Sequence, residues 1–193
     1  MMSKDVLLVF IRNPVYGKVK TRLAATMGDE AAFRIYSALL NYTSLVAKSV
    51  ASEKIICYSD YIEQEDQWSG YQKLLQTKGD LGEKMKHAFR HAFQSGYAKA
   101  VIIGSDCLEI TPEIIGAAFD QLDSHDVVIG PANDGGYYLL GMKRLWEPLF
   151  ENVQWSSSSV FSSTINAITE LDLSYFLLPV LNDIDEENDL KRI

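Results

Sequence analysis

The sequence predicts an α/β protein, a three-layer α/β/α sandwich around a mostly parallel mixed sheet, and three observations support this prediction. Strand-like apolar runs alternate with amphipathic helical stretches along the chain. The first run, VLLVFI at residues 6–11, is apolar at every position, which is typical of a parallel strand buried on both faces. Glycines and acids follow several of these runs, as they do at the ligand-binding edge of such sheets.

Each further element follows from a local pattern. After the first strand and the loop RNPVYGKVKTR, Asp29 is placed to cap an amphipathic helix that runs to about residue 50. Thr111 and Pro112 open another helix as its cap and first turn. The remaining helices are predicted at 83–94, after a GDLG turn, and at 160–171. The remaining strands are predicted at 54–58, 100–103, 126–129, 137–142 and 175–181. Pro179 indicates that the last strand lies near a sheet edge.

Length and charge limit the classes of protein that this chain can represent. Its 193 residues are an ordinary size for one domain, and no repeat or linker interrupts them, so we expect a single domain over residues 1–193. The 18 basic and 26 acidic residues give a net charge of −8, which disfavours binding to nucleic acid. The first apolar run is too short for a signal peptide or a membrane span, and the two cysteines form no CxxC motif. We therefore expect a cytoplasmic protein with no nucleic-acid or membrane partner.

The basic residues are concentrated in the loop after the first strand. Residues 6–28 contain no acid, and four cations lie among them: Arg12, Lys18, Lys20 and Arg22. The chain has no GxGxxG after its first strand and no GxxxxGK[ST] motif, so another element must bind any phosphate. This loop is the candidate, because its cations can form charge-assisted hydrogen bonds to phosphate oxygens. The alternative is a solvated basic surface loop.

Two acidic segments are candidates for a metal site. Asp106 ends the apolar strand in IIGSD, where a carboxylate at the carboxyl edge of the sheet can coordinate a hard cation. A helix cap is the alternative, although Thr111 is better placed for that role. In an extended chain Asp183 and Asp185 point to opposite faces, so at most one of them is expected to face the site. For Asp185 the alternative is the cap of a C-terminal helix. We expect Cys107 to be a buried packing residue rather than a nucleophile.

The turn from Asp134 to Tyr137 is a further candidate. Gly135 and Gly136 permit positive φ angles and the close approach of a ligand to backbone N–H groups, while Tyr137 can pack against that ligand. The alternative is an ordinary hairpin turn. Because ligands bind outside the carboxyl ends of strands in α/β sheets, we expect the basic loop, Asp106 and this turn to lie at one edge.

Six stretches together resemble one family. They are NPVYGKVKTRLA (13–24), GDLGEKM (79–85), IIGSDC (102–107), VVIGPANDGGYYLLG (127–141), LFENVQWSSSSV (149–160) and NDIDEENDL (182–190). In this order they resemble the GT-A-like nucleotide-diphospho-sugar transferase superfamily. The resemblance is strongest to a small bacterial branch known as rSAM/selenodomain-associated or arsenosugar-type glycosyltransferases, which is similar to 2-phospho-L-lactate guanylyltransferase.

The resemblance implies roles for specific residues. It implies that a divalent cation, Mg²⁺ or Mn²⁺, is held by Asp106 and Asp185. The expected catalytic carboxylates are Asp106 and Asp134, with Asp134 as the base that acts on an acceptor hydroxyl. The implied nucleotide and phosphate side comprises Arg12, Lys18, Lys20, Arg22, Gly79 and Asp80. The implied acceptor or sugar side comprises Gly135, Gly136, Tyr137 and Trp155.

These roles predict a metal-dependent glycosyltransferase that uses a nucleotide-sugar donor and a small-molecule acceptor. Its cation and basic loop would neutralise the charge that develops on a leaving nucleoside diphosphate. Two alternatives stay open. In one, a nucleotidyltransferase transfers a nucleoside monophosphate from an NTP to a phosphorylated acceptor. In the other, the chain is a non-catalytic nucleotide-binding protein.

Overall fold

A computed structural model describes residues 5–192 and contains a mixed seven-stranded sheet with helices on both faces. Residues 1–4, the start of the segment considered above for a signal peptide, lie outside the described part. The strands are β1 Asp5–Ile11, β2 Glu53–Tyr58, β3 Gln72–Leu75, β4 Lys99–Ile103, β5 Val127–Pro131, β6 Tyr137–Met142 and β7 Tyr175–Leu177. The helices are α1 Thr21–Met27, α2 Asp29–Ser49, α3 Leu81–Gln94, α4 Pro112–Gln121 and α5 Val160–Glu170, with 3-10 turns at Glu147–Phe150 and Asp189–Arg192.

The sheet order is β3-β2-β1-β4-β6-β5-β7. Only β6 runs against its neighbours among the described strands, pairing antiparallel with both β4 and β5. The carboxyl ends of all the other strands therefore meet at one edge, together with the start of β6. This confirms the predicted mostly parallel mixed sheet and brings the loops that follow β1, β4 and β5 to the same place.

Two apolar clusters cover the two faces of the sheet, as the three-layer prediction requires. Alternate residues of β1 divide between them: Leu7 and Val9 pack with α2 and α4, while Val6 and Leu8 pack with α3 and α5. β1 is buried on both faces, which explains why its sequence is apolar throughout. Both cysteines, Cys57 and Cys107, are buried as free thiols, so the expected packing role of Cys107 is confirmed.

Several element predictions need correction. The short helix α1 and the strand β3 were not anticipated. Asp29 is not a cap, because α2 begins at Asp29 itself and Gly28 occupies the cap position without a side-chain hydrogen bond. The last strand ends at Leu177 rather than at 181, although Leu181 forms an isolated bridge with Ala132. β7 pairs only with β5 in the described sheet, so its predicted edge position is confirmed. None of the described helices combines the length and apolar character needed to cross a membrane.

We expect Gly130→Ala to lower the free energy of unfolding by about 1–3 kcal/mol. A Cβ at Gly130 would lie 2.4 Å from the ring of Tyr138, whose hydroxyl donates to the Pro179 carbonyl and so fixes the chain after β7. Urea unfolding measures the change.

Gly116→Ala is the matched control, because nothing lies within 4 Å of a Cβ at this position in α4. We expect this substitution to stabilise the protein by about 0.5–1 kcal/mol. Equal stability of the two variants would contradict the proposed packing constraint at Gly130.

Candidate active site

The loop after β1 is fixed at its base by buried hydrogen bonds. Asn13, only 3% exposed, accepts from the Asp60 amide at 3.0 Å and donates to the Tyr61 carbonyl at 2.8 Å. The Tyr36 hydroxyl accepts from the Arg12 amide at 2.8 Å and donates to the Arg12 carbonyl at 2.9 Å. Burial raises the pKa of Tyr36 to about 12, so this hydroxyl keeps its proton near neutral pH. The start of the basic loop is therefore a rigid feature.

Lys20 connects this loop to both predicted metal ligands. Its Nζ lies 2.8 Å from Asp106 Oδ1 and 2.8 Å from Asp185 Oδ1, and its side chain is 6% exposed. The lysine backbone is left-handed, with φ 48° and ψ 49°, a conformation that costs a non-glycine residue about 1 kcal/mol or more. Burial alone would lower the pKa of Lys20, but the two carboxylates outweigh burial and raise it. The lysine therefore carries a full charge between the acids.

The segment around Ile184 brings Asp185 to Asp106. The Ile184 amide donates to the Asp106 carbonyl at 2.8 Å, and the Ile184 side chain is buried in the core. Asp189 then accepts from the amides of Asp185 and Glu186 at 3.0 and 2.8 Å. It is thus Asp189, and not Asp185, that satisfies backbone donors in this turn. Asp185 keeps its carboxylate for Lys20 and, at 3.9 Å, for the exposed Arg22.

Asp183, the other acid that flanks Ile184, lies close enough to the site to be affected by its charges. Burial raises the pKa of Asp183 to about 7, and repulsion from three neighbouring carboxylates contributes to this shift, those of Asp106, Asp134 and Asp185. Asp183 and Asp185 therefore both interact with Asp106. The chain is not a regular strand here, so the alternation of side chains in an extended segment does not apply. We call Asp106, Asp183 and Asp185 the acidic cluster, and Lys20 contacts two of its members, Asp106 and Asp185.

The donor set fits a divalent cation that a substrate helps to bind. Among the described residues no three Asp, Glu, His or Cys side chains form a ready-made metal site. Asp106 and Asp185, about 40% exposed, direct oxygens to one point, which Lys20 Nζ occupies. Mg²⁺ is commonly bound by one or two carboxylates together with substrate phosphates rather than by protein ligands alone. The two acids are suited to that arrangement.

The other cations of the loop lie around a separate cleft. Arg12 and Lys18 line a cavity of about 340 Å³ together with Asn13, Val15, Asp60 and Tyr61. Arg12 and Lys18 are exposed, as is Arg22 with 67% of its side chain accessible. The four predicted cations are thus divided: Lys20 and Arg22 contact the acidic cluster, while Arg12 and Lys18 face the cleft.

The turn at Asp134 lies beside the acidic cluster and is tightly built. Asp134 Oδ1 accepts from the Gly136 amide at 2.9 Å, and the Gly135 carbonyl accepts from the Phe161 amide at 2.8 Å. Gly135 has φ 89°, and a Cβ there would lie 2.2 Å from the Ser158 carbonyl oxygen. Glycine is therefore required at this position, because the turn contacts the serine-rich segment before α5 directly.

The contacts of Tyr137, Trp155 and Asp80 are with helix α3, which Gly79 and Asp80 precede. The Tyr137 hydroxyl contacts the sulfur of Met85 at 4.0 Å, and burial raises the pKa of Tyr137. Trp155 lies against the backbone of Gly82 in the first turn of α3. Asp80 caps α3 by accepting from the Glu83 amide at 2.9 Å, and Gly79 precedes it with φ 116°. These side chains are packed or hydrogen-bonded within the protein.

Sequence reasoning missed Asn13, Tyr36 and Asp189 as organisers of the site. Asn13 lies inside the recognised NPVYGKVKTRLA stretch, where an uncharged amide next to a proline was a usable signal of a fixed loop base. Tyr36 occupies a core position of α2, and nothing in the sequence distinguishes its hydroxyl from those of other buried tyrosines.

Solved structures share this fold. A candidate nucleotide-diphospho-sugar transferase from Desulfovibrio desulfuricans G20 is 32% identical, with a TM-score of 0.92 over 98% of this chain and 85% of that one. CMP:2-keto-3-deoxy-manno-octonic acid synthetase, complexed with CTP, is 12% identical with a TM-score of 0.61 over 98% of this chain and 96% of its own. At these identities the second likeness shows the fold alone. Among curated proteins, none matches this chain.

A third neighbour is glucosyl-3-phosphoglycerate synthase from Mycobacterium tuberculosis, in complex with Mn²⁺, UDP and glucosyl-3-phosphoglycerate. It is 12% identical, with a TM-score of 0.55 over 93% of this chain and 70% of its own, and it too shows the fold alone. The expected resemblance to the nucleotide-diphospho-sugar transferases and the expected transferase class are confirmed by the 32% identical structure from Desulfovibrio desulfuricans.

The family itself is identified by a sequence model. The model described as "Uncharacterized protein conserved in bacteria (DUF2064)" matches residues 43–157, which is more than half of the chain. This range contains β4, the loop after it that carries Asp106, and the whole Asp134 turn. Together with the 32% identity over nearly the full chain, this match shows that the protein belongs to the DUF2064 family and has the nucleotide-diphospho-sugar transferase fold.

Proposed function

We propose that the protein is a metal-dependent glycosyltransferase that uses a nucleotide-sugar donor and a small-molecule acceptor. The observation that carries this proposal is the meeting of Lys20, Asp106 and Asp185 at the carboxyl edge of the sheet, next to a cleft lined by Arg12 and Lys18. An acidic pair that suits a divalent cation and a basic cleft that suits phosphates thus share one edge. This juxtaposition is the one that nucleotide chemistry needs.

The basic loop binds the donor phosphates in this proposal. Arg12 and Lys18 contribute two positive charges to a cleft whose base is held rigid by Asn13, so little ordering is needed when an anion binds. Arg22 adds a third, exposed cation at the boundary with the acidic cluster. Charge-assisted hydrogen bonds from these groups also neutralise the leaving diphosphate.

Asp106 and Asp185 hold the divalent cation, Mg²⁺ or Mn²⁺, which on binding supplies Lewis-acid stabilisation of the phosphate charge. The main-chain contact between Ile184 and Asp106 sets the spacing of the two carboxylates before any ligand arrives. Asp189 supports that spacing by engaging the amides on either side of the Asp185 carbonyl. The two acids therefore need no large rearrangement to act together.

The acceptor binds at the glycine turn. Asp134 is exposed, the hydrogen bond from the Gly136 amide holds its carboxylate in place, and its charge acts on Asp183. In the glycosyl reaction Asp134 takes the proton from the acceptor hydroxyl as it attacks the sugar. Tyr137 and Trp155 pack against α3, and Asp80 caps the start of that helix.

Nucleotidyl transfer is the second candidate, and the number of cations favours it. Four basic side chains surround this edge, those of Arg12, Lys18, Lys20 and Arg22. A triphosphate carries more negative charge than a nucleotide sugar and is better neutralised by such a set. In this case pyrophosphate leaves and a phosphorylated acceptor is the nucleophile.

A product screen separates the candidates. The protein is incubated with NTPs or nucleotide sugars and Mg²⁺ or Mn²⁺, with pools of hydroxylated and phosphorylated small molecules as acceptors. Acceptor-dependent release of a nucleoside diphosphate supports the glycosyltransferase. Release of pyrophosphate overturns it in favour of the nucleotidyltransferase. Tight nucleotide binding with neither release overturns both in favour of a binding protein.

We expect a nucleotide with Mn²⁺ to stabilise the protein by about 2.7 kcal/mol at a nucleotide concentration one hundred times its Kd. For a chain of this size, this corresponds to a rise in Tm of roughly 5–10 °C, and the rise should disappear in EDTA. Asp106→Asn should abolish it with little change in the ligand-free Tm, because asparagine still offers an oxygen to Lys20.

Asp120→Asn, on the exposed side of α4, is the matched control and should keep the full rise. Nucleotide stabilisation that persists in EDTA would contradict the metal-dependent proposal. Differential scanning fluorimetry gives all four measurements.

Arg12→Ala should weaken nucleotide affinity by about tenfold to one hundredfold, since a charged hydrogen bond in a site contributes about 1.5–3 kcal/mol. Arg34→Ala is the control, because Arg34 pairs with Glu30 on the exposed face of α2. Isothermal titration calorimetry compares the two variants. The same nucleotide affinity in both variants would contradict phosphate binding by Arg12 and would support the alternative of a solvated basic surface loop.

A further inference from the structure

We propose that Lys20 is a tethered counter-ion that occupies the cation position of the nucleotide-free site and competes with a free divalent cation for the same two carboxylate oxygens. When nucleotide binds, its ammonium moves to the phosphates and leaves both acids available. This inference rests on the proposed function, because it concerns how the same acids exchange one cation for another.

The first argument is the position of the ammonium. Its nitrogen lies 2.8 Å from one oxygen of Asp106 and 2.8 Å from one oxygen of Asp185, so it stands at the point where these carboxylates converge. The lysine side chain is 6% exposed, whereas the two acids are about 40% exposed. Water and ions can reach the acids from the open side while the lysine reaches them from the protein side.

The second argument is the charge balance of the cluster. The Ile184 contact holds Asp185 next to Asp106 whether or not a cation is present. Without an internal cation, the nucleotide-free protein would hold these like charges together at a cost that grows as water is excluded. Lys20 provides that cation whenever nucleotide and metal are absent, since it belongs to the chain.

The third argument is that Asp106 Oδ1 and Asp185 Oδ1 cannot bind the Lys20 ammonium and a divalent cation at the same time. A divalent cation bound to Asp106 Oδ1 and Asp185 Oδ1 would stand at the place of the ammonium, and the two positive charges would repel each other. The lysine must therefore withdraw. Moving the ammonium away from the acids is unfavourable when no other anion is near. The phosphates of a nucleotide offset this cost because they can accept hydrogen bonds from the ammonium.

The backbone at Lys20 supports a dedicated role. Lys20 has a left-handed conformation directly before α1, and the Ala24 amide donates to its carbonyl at 2.9 Å. This conformation directs the side chain away from the exposed loop and back to the acids. Lys18, two residues earlier, remains exposed. A free cation is therefore expected to bind weakly and a nucleotide-bound cation tightly.

The test measures Mn²⁺ alone, in the absence of nucleotide, by the loss of its free electron paramagnetic resonance signal. Lys20→Met removes the competing charge and should tighten Mn²⁺ binding by about tenfold or more. Lys18→Met removes the same charge from the same loop, at a residue that does not contact the acids. The Mn²⁺ affinity of this variant should stay within about twofold of that of the wild type. Equal or weaker Mn²⁺ binding by Lys20→Met would overturn the proposal.

A second measurement uses the unaltered protein and does not depend on how the variant folds. Acetylation by acetic anhydride, read by mass spectrometry, reports the accessibility of each lysine amine. Lys20 should be protected in metal-free protein and should become several times more reactive in saturating Mn²⁺, whereas Lys18 should not change. Protection of Lys20 that persists in saturating Mn²⁺ would overturn the exchange of cations.

The outcomes stay separate from those of the proposed function. Asp185→Asn combined with Lys20→Met should lose the gained Mn²⁺ affinity, which ties the gain to the acidic pair. If Lys20→Met shows no gain while the product screen detects transfer, only the counter-ion role fails. Lys20→Met could instead tighten Mn²⁺ binding as expected while no nucleotide binds and no product forms. That result would contradict the proposed transferase function and still support competition between Lys20 and the metal for the acids.

Discussion

The hydrogen bond from the Ile184 amide to the Asp106 carbonyl is the contact on which the rest of the site depends. It joins the loop after β4 to a segment almost eighty residues further along the chain. Because the contact is between backbone groups, it leaves the carboxylates of Asp106 and Asp185 to bind Lys20. Burial of Ile184 in the core secures the same contact from the other side. This contact brings Asp185 to Lys20 and places the turn held by Asp189 beside the site. It also brings Asp183 near the carboxylates that repel it.

The reversed strand β6 determines how acids and glycines come together. Because β6 is antiparallel between β4 and β5, its first residues start at the edge where its neighbours end. The connection from β5 to β6 is therefore a short turn at the functional edge, and it contains Asp134 and Gly135. A helical crossover to a parallel strand would have carried this connection to the opposite edge. The topology thus places a compact turn beside the acidic pair.

Much of the fold could be predicted because it depends on burial patterns. The apolar run of β1 and the capped helix after Thr111 are strong local signals, and both are confirmed. β3 was missed because it is a short strand, QKLL, at the sheet edge, where a polar sequence costs nothing. α1 was missed because it begins after a left-handed Lys20 with no side-chain cap. In the site, the sequence indicated four cations but not which one meets the acids, since Lys20 and Asp185 are 165 positions apart.

The two buried cysteines have a practical consequence. Burial raises the pKa of both Cys57 and Cys107, so neither forms a thiolate near neutral pH, and they are the only cysteines in the sequence. Maleimide dyes react with thiolates, so the native chain resists labelling while it is folded. A single cysteine introduced at an exposed position of the basic loop would then take up one fluorophore alone. The protein is accordingly suited to fluorescence reporting of loop motion without first removing its own thiols.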